Sequence, residues 1–306
     1  RSIGRRGARA LLAASPMKML RYRLEAGLLW LVLWLFRLVG IEAASALGGL
    51  LGRMLGVIMT SKNRIARHNL KASFPDMADS EVEKIIRDMW DNLGRYAGEL
   101  PHLHDLDVYG DDQVEITADI DLDDPEVNRL PAIYFNAHFG NFDVSTLLAI
   151  QRGFELTLVY REASNPWSEA IIQYWREKRG GIWVPKGREG ARALLKAIRK
   201  KGAIAILADQ KFNEGIPVPF FGRDAMTAPA LAELAIKYDV PLLPVRVLRR
   251  PRAHFHVHVF RPIEIPDSGD RAADVRAILL EINQTFEGWI RENPEHWLWI
   301  HRRWPD

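Results

Sequence analysis

The most apolar part of the chain spans residues 26–60, "AGLLWLVLWLFRLVG" and then "AASALGGLLGRMLGVIMT", where only Arg37, Glu42 and Arg53 carry charge. Neither half is an unbroken run of the about 18–20 apolar residues that cross a bilayer core. In the second half Ala44, Gly48, Gly52 and Gly56 recur every fourth residue. On a helix they form one smooth face that another backbone can approach closely. The segment reads as one or two membrane-embedded helices packed together. Lys62, Arg64, Arg67 and Lys71 follow it, and basic residues precede it. Both flanks therefore favour the cytoplasmic side, and a re-entrant or in-plane hairpin competes with a single crossing. No small-residue cleavage site ends the first run, which argues against a secretory signal.

From residue 61 the pattern is that of a soluble domain. "SEVEKIIRDMWDNLGRYAGEL" has helical apolar spacing, and Ser80 with Glu83 suggests a capping box. Short strand-like runs at 132–137, 156–161, 203–209, 240–248 and 254–260 then alternate with helical stretches, and a last long helix falls at about 271–291. The alternation predicts an α/β fold with a central, mostly buried β-sheet flanked by helices. The organisation expected is a basic N-terminal arm (1–24), a membrane-associated helical segment (25–60) and one catalytic domain (61–306).

Composition narrows the chemistry. The chain has 306 residues, ten tryptophans and no cysteine. Disulfides, thiolate metal sites and a cysteine nucleophile are excluded. The arm holds seven Lys or Arg and no acid, which suits anionic lipid headgroups. No Walker loop and no Gly-x-Gly-x-x-Gly occurs, so no nucleotide cofactor is suggested. His254, His256 and His258 share one strand face, but ligands spaced along a strand converge poorly and no metal is expected. The basic runs at 199–202 and 248–252 lack any recognisable nucleic-acid module, and a solvated face or a dock for an acidic protein is the better reading.

The spacing His-x4-Asp occurs three times, at His102/Asp107, His138/Asp143 and His301/Asp306. The first lies in a polar, turn-rich connection, and the last stands at the chain end. His138 instead follows an apolar strand, with Gly140 for a turn and Asp143 in the first turn of a helix. Ligands of open α/β sheets bind outside the carboxyl ends of strands. A histidine oriented by a carboxylate suits the activation of a hydroxyl near neutral pH. No Gly-x-Ser-x-Gly elbow is present. The hydroxyl is then expected from the acceptor substrate, with a thioester as donor and no acyl-enzyme. Backbone N–H groups near Gly140 or Phe221–Gly222 are candidates to stabilise the oxyanion.

Several blocks in order resemble the late (secondary) acyltransferases of lipid A biosynthesis, within the lysophospholipid acyltransferase superfamily. They are "NRIARHNLKASFPD" (63–76), "NAHFGNFD" (136–143), "YREASNP" (160–166), "LADQ" (207–210), "GIPVPFFGRDAMTAPALAELA" (215–235) and "HWLWIHRRW" (296–304). The resemblance implies a glycerolipid-acyltransferase-like fold behind an N-terminal membrane helix or hairpin. It implies His138 as base and Asp143 as its orienting partner. Arg161 would bind a phosphate or headgroup, and Asp209 and Gln210 would organise the pocket. Phe220, Phe221 and Gly222 would shape the site floor or acyl channel, and Arg302 and Arg303 would meet lipid phosphates or an acidic carrier protein. The Glu-Gly-Thr-Arg motif of glycerol-phosphate acyltransferases is missing; "EGIP" (214–217) is the nearest string. The expected partners are acyl carrier protein, a lipid A precursor or related glycolipid, and membrane lipids, with no nucleic acid. No cofactor beyond the acyl thioester is implied, and the place is the cytoplasmic face of the inner membrane. The rival readings are an acyl-CoA-dependent lysophospholipid or glycolipid acyltransferase and a non-catalytic membrane lipid-binding protein.

Overall fold

The computed structural model describes residues 15–123 and 130–305, so most of the expected basic arm, and Asp306, lie outside the described residues. Helix α1 (Pro16–Leu38) starts where the Ser15 side chain accepts the Lys18 N–H and proline takes the first helical position. Helices α2 (Ile41–Ile58), α3 (Thr60–Ser73) and α4 (Asp79–Glu99) follow. The expected capping box does not form. Helix α4 already begins at Asp79, and Glu83 turns away to pair with Arg67 at 2.5 Å.

The face of small residues on α2 does not serve the neighbouring apolar helix. It lies on α4, against Gly94 and Gly98. A side chain at Gly48 would strike the Gly94 carbonyl, and one at Gly52 the Trp90 carbonyl. Helix α1 docks elsewhere, on α6 (Pro166–Arg179). Asn165 caps α6 by accepting the Trp167 N–H at 3.1 Å, and its amide donates to the Tyr22 carbonyl at 2.8 Å. Trp34 meets Trp175 edge-on, with ring centroids 5.9 Å apart. The two apolar helices touch each other, but each is held mainly by a different partner, α6 or α4. Among the described residues only α2 is long and apolar enough to cross a membrane, and a third of it (33%) is buried in the protein.

The sheet runs β1 (Val114–Ala118), β9 (His254–Val259), β8 (Leu242–Arg250), β2 (Ala132–Asn136), β5 (Ala203–Leu207), β3 (Leu156–Tyr160) and β4 (Ile182–Pro185). Strands β8, β2, β5, β3 and β4 are mutually parallel; β9 reverses against β8 and carries β1 with it. Alternation along β2 sends Ala132 into one core and Ile133 and Phe135 into the other, so both faces are covered. Helices α5 (Asp143–Gln151) and α6 lie on the first face. Helices α7 (Arg188–Arg199), α8 (Ala230–Tyr238) and α9 (Arg271–Glu292) lie on the second.

A separate hairpin, β6 (Ile216–Phe220) with β7 (Arg223–Thr227), covers one end. Its two-residue turn is Phe221–Gly222, both with positive φ (+50° and +68°), as a type I′ turn requires. The Phe-Phe-Gly block is therefore a turn and not part of a channel. Phe221 is buried against Phe74 and Trp299, and neither Phe221 nor Gly222 borders the large cavity. The three strand histidines do share a face, where Thr117 Oγ1 lies 2.7 Å from both His256 Nε2 and His258 Nδ1.

Candidate active site

His138 and Asp209 stand at the carboxyl ends of adjacent parallel strands. The register pairs Asn136 with Leu207, so two residues further on His138 faces Asp209. His138 Nδ1 lies 2.8 Å from Asp209 Oδ1. Asp209 also accepts the His138 backbone N–H at 3.0 Å and the Trp297 indole N–H at 2.8 Å. Burial alone would raise the Asp209 pKa, but the imidazole and these donors hold it down at about 2. A carboxylate only accepts, so Nδ1 carries a ring proton, and in the neutral ring the lone pair falls on Nε2. The ring is partly open, with 21% of its side chain exposed, and borders the cavity.

Asp143, expected to orient His138, does something else. Its Oδ2 accepts the Tyr96 hydroxyl at 2.9 Å and pairs with Arg179 at 2.5 Å. Among the described residues no hydrogen bond or ion pair joins it to His138. Burial works against its charge, yet the Arg179 guanidinium holds its carboxyl below the usual range. The reason is positional. A strand-to-helix turn sets Asp143 on the inner side of α5, facing α4 and α6, whereas the neighbouring strand end brings Asp209 directly beside the imidazole. Asp143 thus joins three helices beneath the turn that carries His138.

That turn is itself tightly held. Gly140 has φ +57°, and a side chain there would strike the Val247 carbonyl. The Gly140 N–H donates to the His296 carbonyl at 3.0 Å, and the Phe221 N–H to Glu287 at 2.6 Å. These two of the backbone N–H groups expected near the oxyanion are therefore engaged. Asn141 donates to fully buried Glu99 at 2.7 Å, as does Ser45 of α2, and Arg249 pairs with the same carboxylate. Asn69 of the entry segment donates to the carbonyls of Trp299 and His301 at 2.9 and 2.8 Å, which pins the aromatic C-terminal segment over the site.

The cavity at His138 measures about 880 Å³. Adjacent residues of single strands border it: Tyr134 with Phe135, Leu158 with Val159, Ala205 with Ile206. Neighbours on a strand point to opposite faces. The cavity therefore has an arm on each side of the sheet, and the arms meet at the strand ends by His138. Arg161, Lys186, Lys211 and Gln210 stand in its polar wall. Arg303 does not. It is buried, donating to the Met226 carbonyl at 3.0 Å and Thr227 Oγ1 at 2.8 Å, and desolvation lowers its pKa to about 10. It braces the hairpin from within, where no phosphate reaches, whereas its neighbour Arg302 is exposed.

Of the other histidine matches, His102 Nε2 lies 2.9 Å from the Phe36 carbonyl at the end of α1, and Asp107 caps its own turn through Tyr109 and Gly110. His301 sits unexpectedly close to the centre, its ring 5.9 Å from that of His138. Tyr96, Glu99, Arg179 and Trp297 also went unrecognised in the sequence. Only Trp297 lay in a motif block; the others are helical residues whose partners come from distant segments. Among the described residues no serine or threonine hydroxyl bonds the imidazole: Ser145 and Thr146 donate to the Phe142 and Asp143 carbonyls, both at 2.7 Å.

A histidine with a carboxylate partner thus stands at the edge of a large, mostly apolar cavity. The bacterial lipid A biosynthesis acyltransferase family matches residues 14–306, and the chain belongs to that family. It is 24% identical to the lipid A biosynthesis palmitoleoyltransferase of Escherichia coli (strain K12), over 89% of this chain and 88% of the relative. It is 23% identical to the lauroyltransferase of the same organism, over 90% of each. The corresponding myristoyltransferase is 22% identical, over 82% of this chain and 77% of the relative. The protein is an acyltransferase.

Proposed function

We propose that the protein transfers a fatty acyl chain from an acyl carrier protein thioester to a hydroxyl of a lipid A precursor, at the cytoplasmic face of the inner membrane. The observation that carries this reading is the His138–Asp209 pair where the two apolar arms meet. One arm takes the donor chain and the other a chain of the acceptor, whose hydroxyl then lies at His138 Nε2. The ring takes the hydroxyl proton as the oxygen attacks the thioester carbonyl. The tetrahedral intermediate collapses, the C–S bond breaks, and the departing thiolate takes the proton back from Nε2. General-base assistance of this kind is worth about 10²–10⁴ in rate. Arg161, Lys186 and Lys211 supply positive charge for acceptor phosphates or for the phosphate of the donor's pantetheine arm.

Membrane attachment is part of the same reading. Among the described residues, sixteen of the eighteen exposed large apolar side chains fall in α1 and α2, a concentration of the kind that marks a binding face. Helix α2 is fastened along its length to α4, which bears Lys84, Asp88, Asp91 and Arg95. Carrying α2 across a bilayer would drag those charges into hydrocarbon. An in-plane pair of helices, apolar side down, fits better.

The test is transfer by purified protein in detergent, with a labelled acyl chain offered on carrier protein or on CoA to a lipid A precursor. Transfer from carrier protein, lost in His138→Ala with folding retained, is the expected result. Preference for CoA would refute the donor assignment, and unchanged turnover in His138→Ala would refute the mechanism.

A further inference from the structure

The Gly140 and Phe221 N–H groups are already bonded within the protein and are not free for the oxyanion, whereas a side-chain donor stands beside the base. Gln210 directly follows the aspartate that orients the base. Its amide nitrogen lies 3.2 Å from His138 Nε2 and 3.5 Å from Nδ1 of the same ring. An atom on the Nε2 lone-pair axis would be much farther from Nδ1. The amide therefore rests against the ring and leaves the lone pair open. Its nitrogen is also 3.1 Å from His301 Nε2. Burial, chiefly, lowers the His301 pKa to about 4, so the ring is neutral at neutral pH, and opposite an amide N–H, which can only donate, its Nε2 is the acceptor. One amide N–H is thereby committed to His301. The second is left for the cavity, whose wall Gln210, itself half-buried, forms beside His138.

We infer that the Gln210 side-chain amide, held in place by His301, donates to the oxyanion of the tetrahedral intermediate. Resting on the proposed acyl transfer, this deepens that reading and gives His301 a positioning role through Gln210. As the acceptor oxygen loses its proton to Nε2 and bonds the carbonyl carbon, the C=O electron pair moves onto oxygen. A donor about 3 Å from the base is within reach of that oxygen. The charge returns to carbon as the C–S bond breaks, and the thiolate leaves with the proton from His138. The amide is neutral and changes no protonation state, so it stabilises the intermediate without competing with the base.

The experiment compares Gln210→Leu, His301→Phe and His301→Gln with the wild type, using whichever thioester the wild type accepts. Loss of one oxyanion donor lowers kcat by about 10²–10³-fold, so Gln210→Leu should fall that far while the donor KM stays within about threefold. His301→Phe should lose about tenfold in kcat and His301→Gln, whose carbonyl can accept from the amide, should recover most of it. A second measurement does not depend on turnover. An alkylphosphonate monoester, with a fixed oxyanion at the reacting position, should bind wild type at least about tenfold more tightly than Gln210→Leu. Equal phosphonate binding, or a Gln210→Leu kcat within about threefold of wild type, overturns the donor role. Equal losses in His301→Phe and His301→Gln overturn the positioning role. Failure of the acyl-transfer reading looks different: His138→Ala would then turn over as fast as the wild type.

Discussion

Replacing Glu99 by alanine should unfold the link between the apolar helices and the turn that carries His138. Glu99 is fully buried and takes three partners: Ser45 Oγ at 2.7 Å, Asn141 Nδ2 at 2.7 Å, and the Arg249 guanidinium. The Arg249 side chain is itself only 8% exposed. Removing one member of a buried ion pair costs about 3–5 kcal/mol, because the other charge is left without a partner. The two stranded neutral donors push the loss toward the upper end. A folded domain has only about 5–15 kcal/mol in hand, so the variant should sit near its unfolding threshold. Urea unfolding in detergent, followed by tryptophan fluorescence, measures the loss. The double variant Glu99→Leu/Arg249→Met removes both charges together and should regain more than half of it, since a well-packed apolar pair replaces a buried ion pair at little cost. A loss below about 1 kcal/mol in Glu99→Ala, or no recovery in the double variant, would refute the reasoning.

Two further outcomes can be measured on the same preparation. Gly52→Leu places a side chain on the Trp90 carbonyl, so α2 must separate from α4; limited proteolysis should then cleave between residues 58 and 79, and an uncleaved variant would count against the close approach. Acid should destabilise the fold in two stages. Burial, chiefly, brings His296 and His301 down from 6.5 to about 4 in the folded chain. Between those values the unfolded chain binds protons that the folded one does not, so stability falls from pH 6.5 to 4, by about 3 kcal/mol per histidine at 1.36 kcal/mol per pKa unit. Asp209, lowered from 3.8 to about 2, contributes stability above pH 3.8 that disappears as the pH drops toward 2. Urea midpoints recorded across pH 7 to 3 test the first stage, and a flat profile would contradict it.

Strands β2, β3, β5 and β8 were legible because a strand buried on both faces is continuously apolar, and β9 because its residues alternate; the edge strands β1 and β4 were not expected. The hairpin 216–227 was not, because Pro217 and Pro219 argue against a strand; they are tolerated here on a two-stranded ribbon. His138 stood out through its strand-to-turn context. The carboxylate beside it differs from the one expected because sequence spacing reports only on the same segment, whereas the neighbour arrives from the next strand in the sheet. Knowing that "AIYFNAH" and "AIAILAD" lie side by side in register would have paired His138 with Asp209. Arg303 and the Phe221–Gly222 turn show the converse: residues in a family block can be fixed by packing alone. The spacing of small residues on α2 correctly announced a close helix contact but could not name the partner, since Gly94 and Gly98 lie more than thirty residues further on.

The central claim is that Asp209, and not Asp143, orients the catalytic imidazole. Steady-state transfer by Asp209→Asn and Asp143→Asn, each corrected for its folded fraction, tests it most directly. Asp209→Asn should lower kcat by up to about 10⁴-fold, because an amide on Nδ1 no longer fixes the tautomer. Asp143→Asn should weaken the helix junction at Arg179 while its folded molecules keep turnover within about tenfold of wild type. Abolished turnover in a well-folded Asp143→Asn, together with retained turnover in Asp209→Asn, would contradict the account.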